Sequence, residues 1–259
     1  VEKGYETDTA VALRSMIAAD ETRFAEDPLG RAEEIGLTPP PVLPDPTTAT
    51  PEDLVQGLRA RGRYSQSLVA SDYVEADGAR IFTPDERDRW AKAVAPEASP
   101  EDRARVAKSL AVGLGPLTAE AAQESGADPV FTYVGTGLAS GLPERLGRQI
   151  FEGQRVIEGK QVKLPAVPDR RQAFFGTFSG LFDDGTAMGW QDQSGARDQI
   201  TAAADALYAF RMRGKVVETK EKGSLFGTPS AANAVDGTLQ ETVYLQAVHE
   251  VMGGTGEFS

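Results

Sequence analysis

Apolar residues recur three, four and seven positions apart along most of this chain, the spacing that places side chains on one face of an α-helix. Leu13, Met16, Ile17 and Phe24 form one such stripe and predict a helix over Thr9–Ala25. Leu54, Val55, Leu58 and Leu68 mark the inward side of a helix from Pro51 to about Ala70; Trp90 and Val94 do so for one from Pro84, and Val106 and Leu110 for one from Pro100. A short helix over Thr118–Ser125 stops at Gly126, and Val130, Phe131, Val134 and Leu138 carry the next from Pro129. Leu146, Ile150 and Ile157 continue from Pro143, and Ile200, Ala204, Leu207 and Tyr208 define a helix over Arg197–Arg213. The last helix starts at Thr238, with Glu241 completing a capping box, and carries Leu239, Val243, Tyr244, Val248, Val251 and Met252 to Gly253-Gly254.

The starts are punctuated by a capping residue followed by proline: Asp27-Pro28, Thr50-Pro51, Thr83-Pro84, Ser99-Pro100 and Asp128-Pro129. A hydroxyl or carboxylate accepts an otherwise orphaned backbone N–H. Proline at the first helical position gives up no hydrogen bond, because its N–H would have had no partner. Between the helix from Pro28, closed by Gly36, and the one from Pro51 lies Thr38-Pro39-Pro40-Pro41-Val42-Leu43-Pro44-Asp45-Pro46, an extended polyproline-like strap. Leu164-Pro165-Ala166-Val167-Pro168 forms a second connector. Beyond it, Phe174, Phe175, Phe178 and Phe182 predict the core of a second lobe, Asp183–Gly195 a polar loop, and Val216-Val217 with Leu225-Phe226 a small hairpin. Asp77-Gly78 predicts a turn. No regular repeat is visible. The expected fold is therefore all-α, a multi-helix array in two lobes: an N-terminal helical arm (1–36), a proline-rich strap (37–50), lobe 1 (51–163) and lobe 2 (164–259).

Composition narrows the functional classes. With 27 basic and 39 acidic residues the formal charge is −12, which disfavours broad contact with polyanions such as nucleic acid or anionic membrane. No cysteine is present, excluding disulfides, thiolate catalysis and cysteine zinc sites. No run approaches the roughly 18 apolar residues of a membrane span. The chain starts at Val1, which leaves open a processed start or a piece of a longer polypeptide. Charge is uneven: residues 1–53 hold twelve acids and four bases, whereas 145–171 hold seven bases and three acids. Arg145, Arg148, Arg155, Arg170 and Arg171 are thus candidates for contact with an acidic neighbour or, locally, DNA. Pro39, Pro40, Pro41 and Pro44 are candidates for docking on a neighbouring subunit, since a preformed extended segment loses little entropy on binding.

Chemistry is less clearly written. Gly135-Thr136-Gly137-Leu138-Ala139-Ser140-Gly141 resembles a dinucleotide loop, but that fingerprint needs a preceding strand, and Asp128-Pro129 predicts a helix there. His249 is the single histidine, too few for a two-histidine metal motif, and Asp183-Asp184-Gly185 and Asp192 lack the ligand spacing of a calcium loop. No cofactor or metal is expected. Glu124-Ser125-Gly126-Ala127-Asp128-Pro129 resembles the glutamate-serine start of the active-site motif of lytic transglycosylases. That resemblance implies Glu124 as a general acid toward a glycosidic oxygen, with a desolvated site raising its pKa. The family's downstream Gly-Leu-Met-Gln element is absent.

The segments Gln149–Ile157, Asp205–Ala209 and Ala247–Gly254 resemble the helical, alanine-rich regions of large virion proteins of tailed bacteriophages. That resemblance implies a non-enzymatic structural component of a virion, of the internal or ejection kind that assists genome delivery. Its partners would be other virion proteins and copies of itself. The alternative is a peptidoglycan-cleaving enzyme using Glu124.

Overall fold

A computed structural model describes residues 2–75, 78–165, 194–215 and 237–252 of the chain. Among these residues the fold is all-α, with no strand. In chain order the helices are α1 (Glu2–Glu26), α2 (Pro28–Glu34), α3 (Pro51–Ala70), α4 (Pro84–Val94), α5 (Pro100–Leu114), α6 (Thr118–Glu124), α7 (Pro129–Ala139), α8 (Glu144–Glu158), α9 (Ser194–Met212) and α10 (Gly237–Val251). The phenylalanine cluster at 174–182, the polar loop 183–193, the hairpin expected within 216–236 and Asp77 lie outside the described residues.

The helix starts follow from cap chemistry. Asp27 Oδ1 accepts from Gly30 N at 2.9 Å, Thr50 Oγ1 from Asp53 N at 3.2 Å, Thr83 Oγ1 from Glu86 N at 3.4 Å, Ser99 Oγ from Asp102 N at 3.1 Å and Asp128 Oδ1 from Phe131 N at 2.9 Å. At the Thr83 start the bond is returned, Thr83 N donating to Glu86 Oε2 at 3.0 Å, a reciprocal capping box. Gly36 (φ 86°) and Gly126 (φ 71°) terminate α2 and α6 in the left-handed region that favours glycine.

The chain divides into two compact units: Val1–Ala93 with Ser109–Ala127, and Val94–Lys108 with Asp128–Ser259. One division therefore falls inside α5. In the first unit, Leu54, Leu58 and Leu68 of α3 are buried together with Phe82, Trp90 and Leu110. The Phe82 and Trp90 rings lie 5.0 Å apart. Gly113 lets α5 run close to α3: a Cβ there would stand 2.6 Å from Leu58 Cβ. A smaller cluster of Leu29, Ala32, Leu68 and Val74 receives Phe24, Tyr64 and Tyr73, seating the end of α1 and all of α2.

In the second unit α9 packs on α7, α8 and α10. Its contact face is built from small residues, Ala203, Ala206 and Ala209, all fully buried. The Tyr208 and Tyr244 rings meet edge to face at 5.6 Å, and Tyr244 Oη donates to Asp205 Oδ1 at 2.8 Å. The glycine run at 135–141 belongs mostly to α7, as the Asp-Pro start predicts, and serves packing. A Cβ on Gly135 would stand 2.7 Å from the Ala107 carbonyl oxygen, so the helix backbones touch at this point.

Candidate functional site

Three polar constellations are built into the described residues, and two are structural. In the first unit, Arg61 is fully buried on the apolar face of α3. It donates Nη1 to Ile81 O at 2.8 Å and to Glu86 Oε2 at 2.7 Å, Nη2 to Glu86 Oε1 at 2.9 Å, and Nε to Pro41 O at 3.0 Å. Burial pushes the Glu86 carboxyl up, but the Arg61 guanidinium and the Thr83 and Leu43 N–H groups outweigh it and hold the group below its ordinary value. In the second unit, Arg103 is equally buried. It donates to Val94 O at 3.1 Å, Gln154 Oε1 at 2.9 Å and Asp128 Oδ2 at 2.6 Å, and lies 4.3 Å from the centre of the Phe151 ring.

The third constellation lines a cleft of about 530 Å³ in the first unit, formed by Ser65, Ala79, Arg80, Ile81, Arg87, Leu117, Glu120, Gln123 and Glu124. Glu124, at the end of α6, is the residue of the transglycosylase-like segment. Its side chain is 10% exposed. Burial pushes its carboxyl pKa up against the opposing pull of the Ile81 and Phe82 N–H groups and of Arg87 and Arg80. Both oxygens are occupied: Oε2 accepts from Ile81 N at 2.9 Å and Oε1 from Phe82 N at 3.0 Å. Arg87 Nη2 stands 3.9 Å from Oε1. The carboxylate thus holds the turn before α4 against α6. The neighbouring Ser125 is buried and donates to Ala122 O at 3.0 Å, away from any reacting role. None of the nine lining residues is aromatic, so the cleft lacks a stacking surface for a sugar ring.

The raised Glu124 pKa has a measurable sign. Its stabilising contribution is full below the ordinary glutamate value and is lost as pH rises through the raised folded value. Glu124→Gln leaves one of the two backbone donors unpaired and is expected to cost about 1–3 kcal/mol. Urea unfolding at about pH 3 and about pH 7, below and above the ordinary glutamate value, is expected to show the larger deficit at the lower pH.

The remaining candidates are distributed. Pro39 is exposed, whereas Pro40, Pro41 and Pro44 are half-buried against their own unit. The Pro41 carbonyl accepts from Arg61, Thr38 O accepts from Tyr64 Oη at 2.6 Å, and Pro44 lies where a Cβ on Gly57 would be 2.5 Å from its Cδ. The strap is therefore pinned to α3 of the same chain, and Val42, 87% exposed, is its most open apolar residue. Arg145, Arg148 and Arg155 are exposed on one face of α8. On that face Glu152 is paired with Arg213, and Arg148 lies 3.9 Å from Glu101. Arg170 and Arg171 lie outside the described residues. His249 is half-buried on α10. Among the described residues no group of histidines and carboxylates has the geometry to hold a metal, and no helix is long and apolar enough to cross a membrane.

Sequence reasoning missed one feature. Val11, Leu13, Met16 and Ile17 of α1 are 54–68% exposed, although Phe24 of the same helix is seated in the small apolar cluster. The periodic stripe was the signal, but periodicity alone does not say what covers it.

Comparison with protein-family models, curated proteins and solved structures returned no match.

Proposed function

We propose that this chain is a non-enzymatic structural protein that works through contacts with other proteins. In that reading its setting is a tailed-phage virion, with a role in the internal or ejection apparatus. The observation that carries the protein-contact reading is the open apolar face of α1. A helix with Leu13, Met16 and Ile17 in water gains stability when that face is covered. The exposed arginines of α8 add a second surface, suited to an acidic neighbour. The virion setting rests on the alanine-rich helical pattern. Mass spectrometry of purified particles from a host carrying the gene tests it, and absence of the chain from such particles counts against it.

A second reading is favoured by Glu124. A buried carboxyl with a raised pKa beside a cleft is what a general acid toward a glycosidic bond requires. Against it stands the use of both oxygens as backbone acceptors. A zymogram on cell-wall substrate separates the two readings. We expect no clearing by the wild-type chain; clearing that disappears in Glu124→Gln establishes the enzyme instead.

A further inference from the structure

The open face of α1 has a self-complementary charge pattern. Residues 9–23 are exposed without interruption. At about 100° per residue, Leu13 and Ile17 stand about 40° apart on a ridge, and Phe24, in line with them, is already covered by the Leu29, Ala32, Leu68 and Val74 cluster. One flank of that ridge carries Met16, Asp20 and Arg23. This flank is engaged with α2: Arg31 bonds Asp20 at 3.0 Å and Arg23 bonds Glu34 at 2.9 Å. The other flank carries Arg14 and Glu21, one of each sign, two turns apart.

We infer that α1 pairs antiparallel with α1 of a second copy, about a two-fold axis between Ile17 and Ala18. This rests on the protein-contact reading above and names its partner. In an antiparallel pair equivalent flanks face each other, so Arg14 meets Glu21 of the second copy and Glu21 meets its Arg14. The two ion pairs are reciprocal because the interface is isologous. A parallel pair would not join these flanks.

Charge also favours this segment for self-association. The chain carries −12 overall, yet within 9–22 the charged residues are Arg14, Asp20 and Glu21, and Asp20 is already neutralised by Arg31. Two copies meeting here bring together stretches that are nearly neutral, whereas other parts of 1–53 would repel.

Sedimentation equilibrium on the full chain tests the inference. The wild type is expected to be a dimer at about 100 µM, the range in which a small helix pair associates. Ile17→Asp, at an exposed position outside the core, is expected to give a folded monomer. Arg14→Glu and Glu21→Arg each turn two attractions into two repulsions and are expected to weaken the dimer by about 10-fold or more. An equimolar mixture of these two variants is expected to recover wild-type affinity as a heterodimer. A monomeric wild type, or single reversals as dimeric as the wild type, overturns the inference. A monomer leaves the protein-contact reading standing with a foreign partner, whereas Glu124-dependent clearing of cell wall removes that reading whatever the dimer does.

Discussion

Replacing Arg61 with methionine is expected to lower stability by about 3–5 kcal/mol, the cost of removing one partner from a buried ion pair. The substitution keeps most of the side-chain volume, so the loss is electrostatic rather than a cavity. It leaves Glu86 with its side chain 7% exposed and only the Thr83 and Leu43 N–H groups as donors. It also strips the Ile81 and Pro41 carbonyls of their guanidinium donors. A domain of this kind has about 5–15 kcal/mol in total. The variant is therefore expected to unfold at a much lower urea concentration, with hydrogen exchange rising first in the strap and in residues 78–83. Joint replacement of Arg61 by methionine and Glu86 by leucine removes the stranded charge and is expected to recover part of the loss; the double-mutant cycle then measures the coupling directly. The wild type should also lose stability in acid. A carboxyl held below its ordinary value contributes stability above that value and loses it as pH falls through the folded one. In Arg61→Met that acid-dependent component should shrink.

The same arginine shows what was legible in the sequence. Helix starts were readable because the cap is local: Thr50, Ser99 and Asp128 each bond a residue three positions on. Helix faces were readable from the spacing of large apolar residues. What those faces meet depends on residues far apart in the chain. Arg61 and Glu86 are twenty-five positions apart, as are Arg103 and Asp128. In a chain that is 25% charged, no composition signal separates a buried arginine from a solvated one. One positional signal was present. Arg61 continues the stripe of Leu54 and Leu58 toward Leu68, and Arg103 stands one turn before Val106 on the stripe leading to Leu110. A charged residue in register with a buried stripe points to an internal partner.

The strap illustrates the opposite case. Its extended conformation follows from Pro39, Pro40, Pro41 and Pro44, but its seat on α3 depends on the Arg61 guanidinium and on the missing side chain at Gly57. Glu124 stood out by resemblance. Its grip on the Ile81 and Phe82 amides required a turn more than forty residues away to fold against α6.

Gly153→Ala is expected to destabilise the second unit by about 3 kcal/mol or more, against the ordinary direction for a glycine in a helix. Inside a helix, alanine is favoured over glycine by about 1 kcal/mol. Here the added methyl would stand 1.8 Å from the Ala206 carbonyl oxygen and 3.1 Å from Phe210 Cβ. The obstacle is the backbone of α9, which cannot rotate aside like a side-chain end, so α8 and α9 must separate along a face packed at van der Waals distance. That separation would loosen Phe151, which is buried on α8 and supports Arg103 through its ring. Gly62→Ala is the matched control. It is also buried in a helix, but its new Cβ would meet only side-chain ends, Leu114 at 3.1 Å (Cδ2) and Leu117 at 3.6 Å (Cδ1). A leucine methyl can yield by a few tenths of an ångström, so this variant is expected to be close to neutral or slightly more stable. Urea unfolding of the two variants side by side tests whether close backbone approach, rather than glycine as such, sets the packing of α8 on α9: equal stability of the two would show that it does not.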